Sequence, residues 1–468
     1  MPAPNSVLSA LEARFEETIR ELIALARIPG VSAPGFDPAQ LEHSAEAVAD
    51  LLRRIGLDRV ELLRLPGTHP YVVGEWMGAG PDAPTVVLYA HHDVQPPGRE
   101  SHWQTPAFDP TLRDDGRLYG RGVVDDKAGI LVHAAAIRAW LEAEGQLPVN
   151  LKVLVEGEEE IGSPHLAEFL RRHRDRIAAD VIVLSDTANL EAGLPSITTS
   201  LRGLVSIDVT VRALDHPLHS GMWGGAVPDA ATALGVILGR LFDERGDCAV
   251  PGLDGDVPVL SDASRAALAA LPFDEEAFRS DAGMIPGTRF GGDRGASVYE
   301  RLWRRPAVAV TALEAVPLAQ AANQLIADAR ARVGVRLAPG QSPERARDLV
   351  MEFLRRDPPW GVRVDLECET LAGGWYTEPS GPAFRAAQRA LALGFGREAV
   401  FIGCGGSIPF VGPFAEVLGG APALLLGLED PICNAHGENE SLHMDDFRKA
   451  ATAAVHLFSE LADVGPGA

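Results

Sequence analysis

Thr85-Val86-Val87-Leu88-Tyr89-Ala90 carries no charge and runs straight into His91-His92-Asp93. Two later stretches repeat the pattern. Leu151-Lys152-Val153-Leu154-Val155 ends in Glu156-Gly157-Glu158-Glu159-Glu160, and Val181-Ile182-Val183-Leu184 ends in Ser185-Asp186. Short continuous apolar runs rich in Val, Ile and Leu read as strands of a parallel sheet buried on both faces. In open α/β sheets the ligand crevice lies beyond the carboxyl ends of the strands. Groups able to hold a metal therefore emerge at one edge, strand after strand.

Working outward, residues 7–28 and 41–56 carry apolar residues at helical spacing, and strand-like stretches follow at 59–65 and 71–77. Gly120-Arg121-Gly122 leads into Asp125-Asp126-Lys127 and a helix to about Ala143. The alternation of strand and helix up to Asp186 reads as a doubly wound, mostly parallel sheet. Near Arg202 the texture changes. Val205–Val211 and Val362–Cys368 alternate apolar and polar residues, with strands near 307–313 and 329–337 and helices near 228–242 and 342–356 between them. That pattern predicts an inserted α+β domain, a four-stranded antiparallel sheet with two helices on one face. From Pro382 the buried-sheet texture returns. The expected organisation is a catalytic domain in two parts, 1–201 and 381–468, interrupted by an insertion over 202–380. Residues 246–300, rich in Gly, Pro and Asp, read as a loop-rich excursion.

A chain of 468 residues exceeds one ordinary core. Its net charge of -23 argues against nucleic acid or an anionic membrane as partner, since both reward Lys and Arg. No stretch reaches the roughly 18 apolar residues of a membrane span. The four cysteines show no Cys-x-x-Cys spacing, and the start of the chain shows no basic region followed by an apolar one. A cytoplasmic protein is expected.

Taken singly, the polar groups are ambiguous. An imidazole from His91 or His92 suits zinc or manganese, and an Asp two residues on can orient the His91 ring. Asp125 and Asp126 at a helix start could equally be capping acids. The Glu158–Glu160 triplet is more telling, because three acids beyond a buried strand repel one another and require a counter-charge or water. One could bind metal while another takes a proton from water. Asp186 repeats the strand-end placement, and His436 supplies a distant imidazole.

Together these segments resemble a known family. Tyr89-Ala90-His91-His92-Asp93-Val94-Gln95-Pro96, Gly120-Arg121-Gly122-Val123-Val124-Asp125-Asp126-Lys127, Glu156-Gly157-Glu158-Glu159-Glu160-Ile161-Gly162-Ser163, Gly405-Gly406-Ser407-Ile408-Pro409 and Ala435-His436 look like its signature blocks, in its order. The family is that of the dinuclear metallopeptidases, which include carnosinase, cytosolic non-specific dipeptidase, aminoacylase, glutamate carboxypeptidase and succinyl-diaminopimelate desuccinylase. Leu218–Gly225 and the Gly-Gly-Ser-Ile-Pro block are most similar to the carnosinase-like dipeptidases.

The resemblance implies that His91 and Asp186 bind one metal, Glu160 and His436 the other, and Asp125 both. The ligand-x-Asp spacing favours His91 over His92, with Asp93 orienting it. Glu159 would be the general base on a bridging water. His219, from the partner subunit of a homodimer formed through the inserted domain, would stabilise the oxyanion. Arg336, Gly406 and Ser407 would bind the substrate's terminal carboxylate. A cis peptide is implied at Asp125–Asp126. Two divalent ions per subunit are expected, zinc first, with manganese or cobalt as alternatives. The implied function is hydrolysis of dipeptides or short peptides with a free carboxyl terminus. The alternatives are removal of an acyl group from an N-acyl amino acid, carboxypeptidase action, and a non-catalytic binding protein on this scaffold. Where carnosinase-like members carry an acid or arginine before Gly-Gly-Ser-Ile-Pro, this chain has Gly403-Cys404. The remaining histidines His43, His102, His165, His173 and His456 read as surface residues, and His133 as packed.

Overall fold

The computed structural model describes residues 1–292, 295–406 and 411–465. The chain forms two compact units: Met1–Thr199 with Thr377–Ile402 and Phe410–Ala468, and Ser200–Tyr376 with Gly403–Pro409.

The first unit is organised by a mixed sheet whose order is Asp58–Leu63, Tyr71–Trp76, Asn150–Glu156, Thr85–His91, Val181–Leu184, Ala423–Leu425 and Ser196–Leu201. The central pairs, from Asn150–Glu156 to Ala423–Leu425, are parallel. The flanking pairs are antiparallel. In the centre successive side chains alternate between faces. Val86, Leu88, Ala90, Val153, Val155, Val181 and Val183 enter the main core under the helices. Tyr89, Leu154 and Ile182 are equally buried on the other face. There Tyr89 meets Phe414 edge-on at 5.8 Å, and Tyr71 stacks on Phe169 at 4.0 Å. Burial on both faces is the physical reason these runs are continuous rather than alternating.

The helix Lys127–Glu144 lies on the main-core face, packed against Asn5–Ala26 and Met444–Leu461, and the latter packs against Pro382–Phe395. It stops where Gly145 takes a left-handed φ of 68°, a conformation glycine adopts without Cβ strain. His456, expected at the surface, is buried on Met444–Leu461, where its Nδ1 accepts the Ala3 N–H at 3.0 Å. His133 is packed, with its ring 3.3 Å from the Tyr89 carbonyl.

The second unit holds an antiparallel sheet in the order Ala307–Glu314, Asp328–Leu337, Gly203–Arg212, Arg363–Ala372. Val205, Ile207, Val209 and Val211 face a core shared with the helices Ala230–Gly239 and Pro343–Arg355. The opposite face is polar; Arg332 grips Asp208 with two hydrogen bonds of 2.6 and 2.8 Å. Among the described residues of the 246–300 stretch, expected to be loop-rich, lie the short helices Asp262–Ala270 and Glu275–Asp281, and a third, Val298–Arg304, begins at its end. Each starts at a Ser or Asp whose side chain accepts a backbone N–H of the first turn.

Candidate active site

The registers of the central strands align their ends. His91 pairs with Glu156, and Tyr89 with Leu184, so the residues that follow leave the sheet at one edge. Asp125 arrives from the turn before helix Lys127–Glu144, and His436 from the loop after Ala423–Leu425. The Asp125–Asp126 peptide is cis, as the resemblance implies.

Asp125 divides its two oxygens between the two imidazoles. Oδ1 lies 2.9 Å from His91 Nε2, and Oδ2 lies 3.0 Å from His436 Nε2. Asp186 Oδ2 is 3.9 Å from His91 Nε2, and Glu160 Oε2 is 3.2 Å from His436 Nε2. The five sequence-predicted ligands therefore meet as two sets sharing one carboxylate. His91, Glu159 and Asp186 also bring ligand atoms within 4.8 Å of one another, as do His91, Asp125 and Glu160.

The electrostatics are those of acids crowded away from water. Burial, reinforced by the Asp186 charge, holds the Glu159 carboxyl well above the ordinary range. Burial and the Asp125 charge push Glu160 up to about 7, and burial pushes Asp186 to about 6. Asp125 goes the other way: burial works to raise it, but hydrogen bonds from His436 and His91 hold it well below the usual carboxylate range. The same contacts, with Asp125 and Glu160, lift His436 to about 11. A set of two imidazoles and three carboxylates, one carboxylate offering an oxygen to each side, is the donor chemistry of a pair of divalent cations. Three negative charges against four positive would leave the centre attractive to an anion. The residues fit the group.

Asp93 supports this centre in an unanticipated way. The His91 ring nitrogen Nδ1 is 3.0 Å from the Asp93 carbonyl and 3.4 Å from its carboxylate. The carboxylate itself accepts the backbone N–H groups of Glu159, at 3.3 Å, and Glu160, at 3.0 Å. It thus fixes the turn presenting both glutamates as well as standing behind the ring. His92 points elsewhere: its Nε2 lies 3.0 Å from the Pro70 carbonyl, and burial lowers its pKa to about 4. Gly157 makes room for that ring, since a Cβ there would sit 2.7 Å from His92 Nε2. The glutamate triplet splits likewise. Glu158 faces away from the centre and accepts from Tyr71 Oη at 2.9 Å and the His69 N–H at 3.1 Å.

His436 sits at a φ of +63° in a loop where Asn434 and Asn439 also take positive φ. Non-glycine residues rarely adopt that region, and such backbone concentrates at functional sites.

One acid was missed. Glu429 brings a carboxylate oxygen within 4.8 Å of ligand atoms of Asp125 and Asp186. Burial, then the charges of Asp125 and Asp186, hold its carboxyl well above the ordinary range. The sequence did carry a signal: the apolar run Ala423–Leu428 ends in Glu429-Asp430, repeating the strand-end pattern of the other three runs.

In the second unit, His219 ends the short strand Leu218–His219; it is exposed, and its ring accepts the Gly221 N–H at 3.1 Å. Arg336 lies on strand Asp328–Leu337, half-buried. Gly406 lies two residues after Cys404, whose sulfur accepts the Gly406 N–H at 3.3 Å. Ser407 lies outside the described residues. Sequence reasoning also passed over Arg202, which donates its backbone N–H to the Gly406 carbonyl at 3.1 Å and its Nε–H to the Gly405 carbonyl at 3.2 Å. Burial, with the like charge of Arg336 nearby, lowers Arg202 to about 10. Two guanidiniums are therefore gathered near the Gly405-Gly406 turn.

An edge of parallel strands that gathers such donors defines a metal-dependent hydrolase. Over residues 87–460 the chain matches the model of peptidase family M20/M25/M40, and it belongs to that family. It is 33% identical over 420 residues to a cysteinylglycine-S-conjugate dipeptidase of Corynebacterium striatum, covering 88% of each chain. The solved structure of human carnosine dipeptidase 1 superposes with a TM-score of 0.84 at 27% identity, covering 99% of this chain and 100% of that one. That of the dipeptidase Dug1p from Saccharomyces cerevisiae gives 0.83 at 25%, covering 98% of each. The chain is thus an enzyme, a metallopeptidase among the hydrolases.

Proposed function

We propose that this protein is a metallodipeptidase, hydrolysing the peptide bond of dipeptides and short peptides with a free C-terminal carboxylate. The observation that carries the reading is Asp125, one oxygen on His91 and the other on His436, with Glu159 beside His91 and Asp186. His91, Asp125 and Asp186 would hold one divalent ion, and Asp125, Glu160 and His436 the other, zinc in the first instance. When bound, such a pair polarises the scissile carbonyl and lowers the pKa of the attacking water.

The remaining work belongs to side chains. Glu159 accepts the proton of the attacking water and returns it to the leaving amine. Its burial and its neighbours' charges raise its proton affinity, which suits a group that must hold a proton between the two steps. Asp93 keeps Glu159 and Glu160 in register through their backbone N–H groups. His219 is assigned to the developing oxyanion, and Arg336, Gly406 and Ser407 to the substrate's carboxylate. A guanidinium suits that carboxylate because it is a planar two-pronged donor. Cys404 stands where carnosinase-like members have an acid or arginine, so their side-chain preference does not carry over to this enzyme.

The first unit is read as the catalytic part and the second as an insertion that forms a lid and a homodimer contact. Strand Ala307–Glu314 supports the dimer: it is the edge strand of its sheet, and Val310 and Leu313 on it are exposed, with Val316 and Leu318 beyond. Unpaired apolar edges are templates for pairing with another chain. No disulfide links the four cysteines among the described residues, which suits a reducing, cytoplasmic setting. No helix among the described residues is long and apolar enough to cross a membrane.

The test is turnover of a panel of unblocked dipeptides and N-acetyl amino acids by the enzyme loaded with Zn²⁺, Mn²⁺ or Co²⁺. Cleavage of the dipeptides, abolished by chelation and restored by metal, is expected. Cleavage of N-acetyl amino acids alone would make the enzyme a deacylase.

A further inference from the structure

Arg121 and Glu440 form an ion pair with almost no solvent exposure, and neither is among the residues assigned a role above. Nη1 of Arg121 donates to Glu440 Oε2 at 2.6 Å. The same oxygen accepts the Gly122 N–H at 2.9 Å, while Oε1 accepts those of Val124 at 3.0 Å and Asp125 at 3.3 Å. Glu440 therefore grips the turn that delivers Asp125 by its backbone. The second arm of Arg121, Nη2, donates to two carbonyls, Pro96 at 3.1 Å and Gly437 at 3.0 Å. Gly437 follows His436 directly. Pro96 follows Gln95, whose backbone N–H and side-chain amide hold the two oxygens of Glu160 at 3.0 and 2.7 Å.

One guanidinium thus reaches the three residues of one proposed ion position: Asp125 through Glu440, His436 through Gly437, and Glu160 through Pro96 and Gln95. The other position is secured differently. His91 ends a central strand, where it pairs with Glu156, and Asp186 lies two residues beyond the paired strand Val181–Leu184. Asp125 is common to the two, but among His91, Asp186 and Asp125 it alone is gripped by the pair.

We propose that Arg121, acting with Glu440, is the positioning residue of the Asp125–Glu160–His436 ion position, so that its loss weakens that position selectively. The inference rests on the two-ion reading under Proposed function. Groups that orient ligands without touching the metal change metal affinity by about 10–100-fold when removed. A pair that merely held the fold together would weaken both positions or neither.

The experiment is titration of the metal-free enzyme with Zn²⁺ against a chromophoric chelator, with visible absorption of the Co²⁺-loaded protein as a second readout. Wild type, Arg121→Met, Arg121→Lys and Glu440→Gln are compared, with His436→Ala and Asp186→Asn as references for loss at each position. Circular dichroism confirms folding. Wild type should take two ions. Arg121→Met should keep one at wild-type affinity and bind the other about 10–100-fold more weakly, with a Co²⁺ spectrum resembling that of His436→Ala. Arg121→Lys preserves charge against Glu440 but lacks the fork that spans two carbonyls. It should show the same one-position loss, and it carries the test if Arg121→Met fails to fold. Equal weakening of both ions, or of neither, in a folded Arg121→Lys protein overturns the inference. A wild type that binds fewer than two ions overturns the reading beneath it instead.

Discussion

Replacing Glu159 with Gln keeps the size of the side chain and removes its ability to take a proton. A positioned general base contributes about 10²–10⁴ in rate, or roughly 3–5 kcal/mol of transition-state stabilisation at 1.36 kcal/mol per decade. Glu159 has an oxygen within 4.8 Å of ligand atoms of both His91 and Asp186, close enough to serve either as a base on the attacking water or as an extra ligand. The two roles separate experimentally. A base leaves metal content at two ions per chain and KM within a few-fold while kcat falls by about 10²–10⁴. A ligand loses metal in proportion to activity. The assay is steady-state hydrolysis of a dipeptide at saturating metal, with metal content measured on the same samples. A kcat within tenfold of wild type at full metal load would refute the assignment. So would activity that returns when excess Zn²⁺ is supplied.

Three further outcomes are expected. Glu156 is fully buried, and its carboxyl is pushed up to about 8 by burial, against the Tyr89 hydroxyl that donates to it. The folded state therefore holds a proton that the unfolded chain releases near pH 4.5, so this contribution to stability is complete below that pH and lost as pH rises through about 8. Glu156→Gln should accordingly flatten the decline of the melting temperature between pH 6 and 9, measured at equal metal load; an unchanged slope counts against it. Glu429→Gln removes a carboxylate beside Asp125 and Asp186, and should weaken ion binding by about tenfold or more; unchanged affinity in a chelator competition would show that Glu429 contributes nothing to the centre. The protein should sediment as a dimer, and Leu313→Lys, which charges the exposed edge strand, should shift it toward monomer; an unshifted dimer would place the interface elsewhere.

The residues that speak plainest in the sequence are those whose chemistry conflicts with their neighbourhood. Acids and imidazoles at the ends of doubly buried strands have to be explained, and that explanation gave the sheet edge; which of them serve as donors came from the resemblance. Pairing direction is less legible. Tyr71–Trp76 is as continuously buried as Thr85–His91, yet it pairs antiparallel, because burial on two faces says nothing about which way a neighbour runs. Polar residues that are satisfied locally were equally opaque. Glu158 and Glu159 are adjacent and identical; the resemblance singles out Glu159, and the contacts of Tyr71 and His69 with Glu158 give the physical reason. His456 illustrates the same limit, since its partner is a backbone N–H at Ala3, 453 positions away. Arg202 gains its interest from Arg336, on a strand separated from it by most of the second unit.

The interruption of the first unit has a consequence for how the protein is born. The strands Thr85–His91, Asn150–Glu156 and Val181–Leu184 are complete by Leu201, but the central strand Ala423–Leu425 and two helices of the same core, Pro382–Phe395 and Met444–Leu461, come after the insertion. Roughly 180 residues separate Leu201 from Pro382, about 10–35 s of ribosomal elongation. For that interval the nascent chain carries a partly uncovered apolar sheet, and shielding it is a task for the cell's folding helpers rather than for the sequence alone.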